Sequence, residues 1–465
     1  MKNIELKQTG VCCVSPTVEH DNETQPKMKS LPVAIIGAGP IGLAAAANLV
    51  ERGENFILLE SGSQVGQNIS EWGHVRLFSP WQYNMDKAAV RLLSRHGWNA
   101  PNPDGLPTGQ ELIEKYLLPL AELPEIKSQL RLNTKVIAIS RKDTDKMKSD
   151  LRASKPFIIY AETEGRLQHY EAKAVIDASG TWGNANPLYA SGVWTNEEQA
   201  LSEHIYYGIP NIQGNDKGWY IGKSIAVVGG GHSAINTLLD LAQLQETDPA
   251  MNIMWIMRKN RVEDAYGGEA NDQLVARGEL GSRIHQLVKS EQIQVITPFR
   301  IQRLSRNAGK LTISGESEEG SRDFAGIDKI IVNTGSRPDF TFLRELRLSI
   351  DSATESTETL SPLIDPNVHS CGTVRPHGER ELRHAEKDFY IIGMKSYGRA
   401  PTFLMATGYE QVRSVVAYIS GDYEAAEKVE LDLPATGVCS INNSPTNKED
   451  SCCSTAPASN SSCCS

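Results

Sequence analysis

The stretch Val33-Ala34-Ile35-Ile36-Gly37-Ala38-Gly39-Pro40-Ile41-Gly42 decides how this chain is read. Four apolar residues suit a short strand buried on both faces, and the glycines after them break it sharply. Leu43–Val50 then reads as an alanine-rich helix, and Phe56-Ile57-Leu58-Leu59-Glu60 as a second strand ending in an acid. Together these form one βαβ unit. The spacing dictates its chemistry. Gly37 makes the tight turn, Gly39 lets the backbone approach a pyrophosphate, and Gly42 lets helix and strand pack closely. The phosphates sit on the helix N-terminus, and Glu60, 18 residues beyond Gly42, accepts from ribose hydroxyls.

The motif returns about 190 residues later. Ile225-Ala226-Val227-Val228 leads into Gly229-Gly230-Gly231-His232-Ser233-Ala234, a helix through Leu238–Leu244 and a strand Ile253–Met257. Gly229, Gly231 and Ala234 fit G-x-G-x-x-A, but the strand ends in Arg258-Lys259-Asn260-Arg261, with no acid at its tip. Arg258 and Arg261 suit a 2′-phosphate, which selects NADPH over NADH. An acid-tipped unit for FAD followed by a basic-tipped unit for NADPH predicts a flavoprotein. The fold class is therefore α/β, with two Rossmann-like dinucleotide-binding domains and Cys-containing tails expected to be disordered.

Working outward, Thr108-x-x-Glu111 is a capping box that opens a helix. Val136–Ser140, Phe157–Ala161, Tyr170–Asp177, Lys329–Asn333 and Phe389–Ile392 have strand composition, and the charged spacer Arg141–Ser154 reads as a loop. Pro401–Ile419 has helical apolar spacing, with a proline suited to a first turn whose N–H groups face a ligand. The expected boundaries are a flexible arm at 1–30, an FAD-binding part at 31–215 and an NADPH-binding domain at 216–338. A second FAD-binding part follows at 339–425, and a disordered Cys-rich tail at 426–465. The 465 residues carry 47 basic and 57 acidic side chains, a net charge of −10. That acidic balance argues against nucleic-acid and membrane-surface partners, and no apolar run is long enough to span a membrane. A soluble, cytoplasmic protein is expected.

Between Leu31 and Asp422 the chain resembles the two-dinucleotide-binding-domain flavoproteins, and within them the flavin-containing, class B-like monooxygenases. Ile176-Asp177-Ala178-Ser179-Gly180-Thr181 and Asn333-Thr334-Gly335-Ser336-Arg337-Pro338 resemble that family's crossovers, and Phe389–Gly393 its last FAD strand. The resemblance implies cofactor contacts at Gly180, Gly335 and Gly393, and a helix from Pro401 and Thr402 aimed at the flavin's pyrimidine edge. It also implies that Trp72–Tyr83, dense in aromatics, walls the ring, with Arg76 a candidate flavin, nicotinamide or catalytic contact. Departures are equally informative. The disulfide reductases' C-x₄-C and C-x-x-C pairs are absent, the monooxygenase linker pattern F-x-G-x₃-H-x₃-W has no match, and Met394 stands where an acid usually follows the last strand.

Of the eight cysteines only Cys371 lies inside the body, where it is either a buried small side chain or a thiolate near the flavin. Cys439, Cys452, Cys453, Cys463 and Cys464 crowd the last 27 residues. Paired thiolates on a polar segment select soft, thiophilic ions, and zinc spacing is missing. The Cys-pair tail resembles flavoproteins of arsenic-resistance operons, which implies capture of a soft metal or trivalent arsenic. The reading is an FAD- and NADPH-dependent monooxygenase-type oxidoreductase that uses dioxygen on a small-molecule substrate, a trivalent arsenical or another soft nucleophile. Two alternatives stand beside it: a reductase using the tail pairs as its disulfide partner, and a thiol metallochaperone or sensor on a flavoprotein body.

Overall fold

A computed structural model describes residues 28, 30–272, 274–368, 376–400 and 403–431. The first unit is a five-stranded parallel sheet of β1 (Val33–Ile36), β2 (Phe56–Leu59), β3 (Leu130–Arg131), β7 (Ala174–Asp177) and β16 (Phe389–Ile391). Its order is β16-β7-β1-β2-β3. Helix α1 (Pro40–Glu51) connects β1 to β2, and Ala44, Ala45, Ala46 and Ala47 are fully buried along it. Methyl side chains let this helix lie close to its neighbours, so it packs on all sides rather than on one stripe.

The second unit repeats the plan. Strands β9 (Ser224–Val228), β10 (Asn252–Ile256), β11 (Gln294–Ile296) and β15 (Lys329–Val332) form a parallel sheet with β8 (Ile205–Tyr207), ordered β11-β10-β9-β15-β8. The succession β7-β1-β2-β3 in the first sheet matches β15-β9-β10-β11 in the second. In each unit a three-stranded antiparallel meander precedes the returning strand. One comprises β4 (Thr134–Arg141), β5 (Phe157–Thr163) and β6 (Arg166–Ala172), and the other β12 (Arg300–Asn307), β13 (Lys310–Ser317) and β14 (Gly320–Ile327). Helix α2 (Lys87–Arg95) packs on α1, α3 (His232–Gln245) and α4 (Val275–Lys289) cover the second sheet, and α5 (Met405–Ile419) packs on α1.

Several expectations change in detail. Tyr170–Asp177 is two strands, broken at Lys173, where the chain leaves antiparallel pairing with β5 for parallel pairing with β1. The expected helix from Pro401 begins at Met405, with Leu404 as its N-cap. Strand β8 precedes residue 216 yet pairs with β15 of the second sheet. A short helix, Tyr423–Glu427, follows α5, and Glu430 N–H donates to Glu410 Oε1 at 3.0 Å, so the described fold runs past 425. The capping box forms as read: Thr108 Oγ1 accepts from Glu111 N–H at 3.1 Å, and Thr108 N–H donates to Glu111 Oε2 at 2.9 Å. Among the described residues no helix is long and apolar enough to cross a membrane, and no cluster of metal-ligating side chains occurs.

Candidate cofactor cleft

Both glycine turns lie at the C-terminal ends of parallel strands, where an open α/β sheet receives its ligand. Gly37 has φ +96°, and a Cβ there would stand 2.9 Å from the Ala178 carbonyl oxygen. A Cβ at Gly42 would come 1.8 Å from the Gly37 carbonyl oxygen, so helix and turn meet only because that side chain is missing. A Cβ at Gly39 would meet nothing within 4 Å. No side chain caps α1, which leaves the start of the helix open beside that space. Glu60 is buried. Its Oε2 accepts from Ala38 N–H at 2.6 Å and its Oε1 from Gly62 N–H at 2.7 Å, which ties the tip of β2 to the glycine turn. An open backbone approach, an uncapped helix and a fixed carboxylate fit an adenosine dinucleotide.

The second turn copies the first. Gly229 has φ +137°, and a Cβ there would stand 2.3 Å from the Asn333 carbonyl oxygen, while Gly231 faces open space at the uncapped start of α3. Ala234 is buried. Arg258 donates to the Ala190 carbonyl at 3.3 Å, Arg261 pairs with Asp264 at 3.3 Å, and the Lys259 stem lies 3.0 Å from where a Gly230 Cβ would sit. Basic side chains therefore crowd the tip of β10, as a 2′-phosphate requires. Gly180 faces open space and Gly335 lies near Asn186, each in one of the two crossovers. Gly393 N–H donates to Gln411 Oε1 at 2.7 Å, and Ser396 Oγ returns to the Gly393 carbonyl at 2.7 Å.

The aromatic stretch touches residues that follow a central strand of each sheet. Trp72 lies 6.2 Å from Trp182, whose indole N–H donates to Glu71 at 2.6 Å. His74 bonds the Pro210 carbonyl, and its buried Nε2 has no partner among the described residues. Phe78 lies 5.2 Å from His232, the first residue of α3. Trp72–Phe78 thus occupies the ground between the two nucleotide cradles. Arg76 points elsewhere, donating to the Leu106 carbonyl at 2.5 Å and lying 3.8 Å from Glu111. Cys371, Pro401, Thr402 and the five tail cysteines lie outside the described residues.

Two features were not anticipated. Lys395 and Asp177 form a fully buried ion pair of 2.7 Å beside the first crossover, and Ser179 also bonds Asp177. The sequence hint was an acid closing an otherwise apolar strand. The second is His232, pushed down to about 4 by burial and by the Arg277 cation, so that its ring is neutral at the start of α3. His384 is likewise pushed down to about 4, chiefly by burial.

These shifts fix a pH dependence. Both histidines titrate at 6.5 in the unfolded chain and near 4 when folded, so protonation favours unfolding. Their stabilisation is complete above pH 6.5 and is lost as pH falls towards 4. For the buried His384 the loss approaches about 3 kcal/mol, at about 1.4 kcal/mol per unit. Urea midpoints measured from pH 7.5 to 4 should fall through this window, and His384→Gln should flatten the curve. A variant curve parallel to that of the parent would contradict the assignment.

Two matched dinucleotide cradles facing a shared aromatic cleft define a two-nucleotide flavin oxidoreductase. The sequence profile described as pyridine nucleotide-disulphide oxidoreductase matches residues 34–373, and the chain belongs to that family. It is an FAD- and NADP(H)-dependent oxidoreductase. Among curated proteins it is similar to ferredoxin–NADP reductase of Lactobacillus gasseri, 24% identical over 351 residues that cover 74% of this chain and 86% of the relative. Among solved structures it is similar to bacillithiol disulfide reductase Bdr of Bacillus cereus, with a TM-score of 0.61 and 16% identity over 84% of this chain and 99% of that one. It is also similar to FAD-bound DfoA, a cadaverine monooxygenase of Erwinia amylovora, with a TM-score of 0.60 and 15% identity over 90% of this chain and 99% of that one.

Proposed function

We propose that this oxidoreductase passes electrons from NADPH to a diffusible acceptor, dioxygen, and works as a monooxygenase on a soft nucleophile such as a trivalent arsenical. One observation carries the reading: from Val14 to Ser370 the chain contains no cysteine, so neither glycine turn nor the aromatic stretch can present a dithiol to the flavin. FAD, when bound, supplies hydride acceptance and oxygen activation. The chain's own groups bind and shield. The turn at Gly37, Gly39 and Gly42, with Glu60, holds the FAD adenosine and pyrophosphate. The turn at Gly229, Gly231 and Ala234, with Arg258 and Arg261, holds NADPH. Gly180, Gly335 and Gly393 line the cofactor path, Pro401 and Thr402 precede the helix assigned to the flavin edge, and Trp72 and Phe78 exclude water from the cleft. Cys439, Cys452, Cys453, Cys463 and Cys464 capture the thiophilic substrate, and Cys371 stands as a weaker thiol candidate. In the balance, NADPH supplies two electrons and As(III) two more. One oxygen atom ends on As(V), and the other leaves as water with one proton taken up.

The test is stoichiometric. The FAD-loaded protein should consume NADPH and dioxygen one to one in the presence of arsenite or methylarsenite and form the pentavalent product. Reoxidation of the reduced protein by dioxygen should be unchanged when all five tail cysteines become serine. Slow reoxidation by dioxygen would overturn the reading. The ferredoxin–NADP reductase relatives favour a second reading, in which a one-electron carrier protein is the acceptor. Rapid cytochrome or ferredoxin reduction, with no arsenical-dependent oxygen uptake, would select it.

A further inference from the structure

A cavity of about 720 Å³ opens on the helical part of the first unit, between the segment Arg76–Trp81 and the loop Trp98–Leu106, with Glu111 and Lys115 across from them. None of its lining residues belongs to either glycine turn. We propose that this cavity is a second ligand site, one that takes a small planar organic carboxylate.

The walls are pre-formed. Leu77, Trp81 and Gln82 N–H groups donate to the carbonyls of Pro107, Gly105 and Pro103 at 2.8, 2.9 and 3.1 Å, which zips the two segments together. Prolines in the loop fix its backbone, so little ordering cost falls on a ligand. Trp98 is locked by its indole N–H, which donates to the Lys115 carbonyl at 3.0 Å. The depression is open to solvent on one side, and two indoles supply flat apolar walls.

The polar groups set the charge of the ligand. Arg76 and Lys115 are cations, and Glu111 is the one carboxylate among the cavity's lining residues. Both of its oxygens are engaged: Oε1 accepts from Lys115 at 2.8 Å, and Oε2 accepts from Thr108 N–H at 2.9 Å and lies 3.8 Å from Arg76. One positive charge is therefore in excess. Leu106 occupies one edge of the Arg76 guanidinium, and its side chain is 60% exposed, so N–H groups are left for an anion.

The independent observation is Trp81. It is 4% exposed, and its indole N–H has no hydrogen-bond partner among the described residues. Its pyrrole edge faces Gly105, another lining residue, with Nε1 3.9 Å from where a Cβ would sit. The residue as a whole is buried, but the indole N–H itself stays open to solvent and so is available to a ligand in the cavity. A carboxylate between Arg76 and Trp81, with its ring against the indoles, satisfies both at once.

Benzoate is the probe, titrated calorimetrically into the FAD-loaded protein. The expected result is saturable 1:1 binding, weakened about tenfold or more in Arg76→Gln and severalfold in Lys115→Gln. Benzamide, which has the ring without the charge, should bind about tenfold more weakly, and the flavin absorption envelope should not move. No saturable binding at millimolar benzoate overturns the proposal. So does undiminished affinity in Arg76→Gln, or a flavin spectral change that survives that substitution. Both variants alter exposed side chains, so folding does not confound the result.

Discussion

Glu386→Gln should destabilise the protein by about 3–5 kcal/mol, read as a drop in the urea midpoint with the slope unchanged. Glu386 is buried between two guanidinium groups. Arg141 Nε meets Oε1 at 2.8 Å, and Arg152 meets Oε2 through Nη2 at 2.8 Å and Nε at 3.1 Å, with side chains 0, 4 and 2% exposed for Arg141, Arg152 and Glu386. Burial works against the Glu386 charge, yet the Arg152 and Arg141 cations and the Arg347 N–H hold its carboxyl below the ordinary carboxylate range. The arginines in turn donate to the carbonyls of Lys155, Lys387, Asp145 and Glu345, so one carboxylate organises the first meander, the spacer after it and the approach to β16. Glutamine leaves two buried cations uncompensated, which is why the loss exceeds that of a surface pair. Arg152→Met should cost less, because Arg141 still pairs with the acid. A loss below about 1 kcal/mol for Glu386→Gln would show that water reaches the cluster.

Gly42→Ala should abolish flavin retention and lower stability by about 3 kcal/mol or more, because a Cβ 1.8 Å from a backbone carbonyl forces α1 away from the turn. Gly39→Ala is the contrast. Its methyl group enters open space, so the unfolding midpoint should hold while FAD dissociates more readily, by about tenfold or more. Flavin content by absorbance and the urea midpoint separate the two effects. If Gly39→Ala kept FAD at the parent affinity, the pyrophosphate would not pass over that glycine.

What could be read in advance was local. The turns at Gly37–Gly42 and Gly229–Ala234, the basic tip at Arg258–Arg261 and the Thr108–Glu111 box depend on residues a few positions apart, and such patterns survive whatever surrounds them. The Glu386 cluster was hidden because Arg141 and Arg152 find their partner 245 and 234 residues away. In the sequence they are merely part of a charged spacer. The second meander was hidden as well, since β12 (Arg-Ile-Gln-Arg-Leu-Ser-Arg-Asn) shows polar residues outward and few apolar ones inward. Arg76 reads as a cofactor contact from its aromatic neighbours, but its backbone pairs with Thr108 and its guanidinium donates to the Leu106 carbonyl. The start of α5 shifted because helical spacing fixes a face better than an end.

The two crossovers bind each other as well as the cradles. Asn186 N–H donates to the Gly335 carbonyl at 2.9 Å and Arg337 N–H to the Asn184 carbonyl at 2.9 Å. The Asn184 and Asn186 amides bond the Pro338 and Thr334 carbonyls, and Ser336 bonds Thr181. Such a doubled tether cannot be pulled apart without rupturing several bonds together. Ala178 and Asn333 abut Gly37 and Gly229, so the same joint braces both glycine turns.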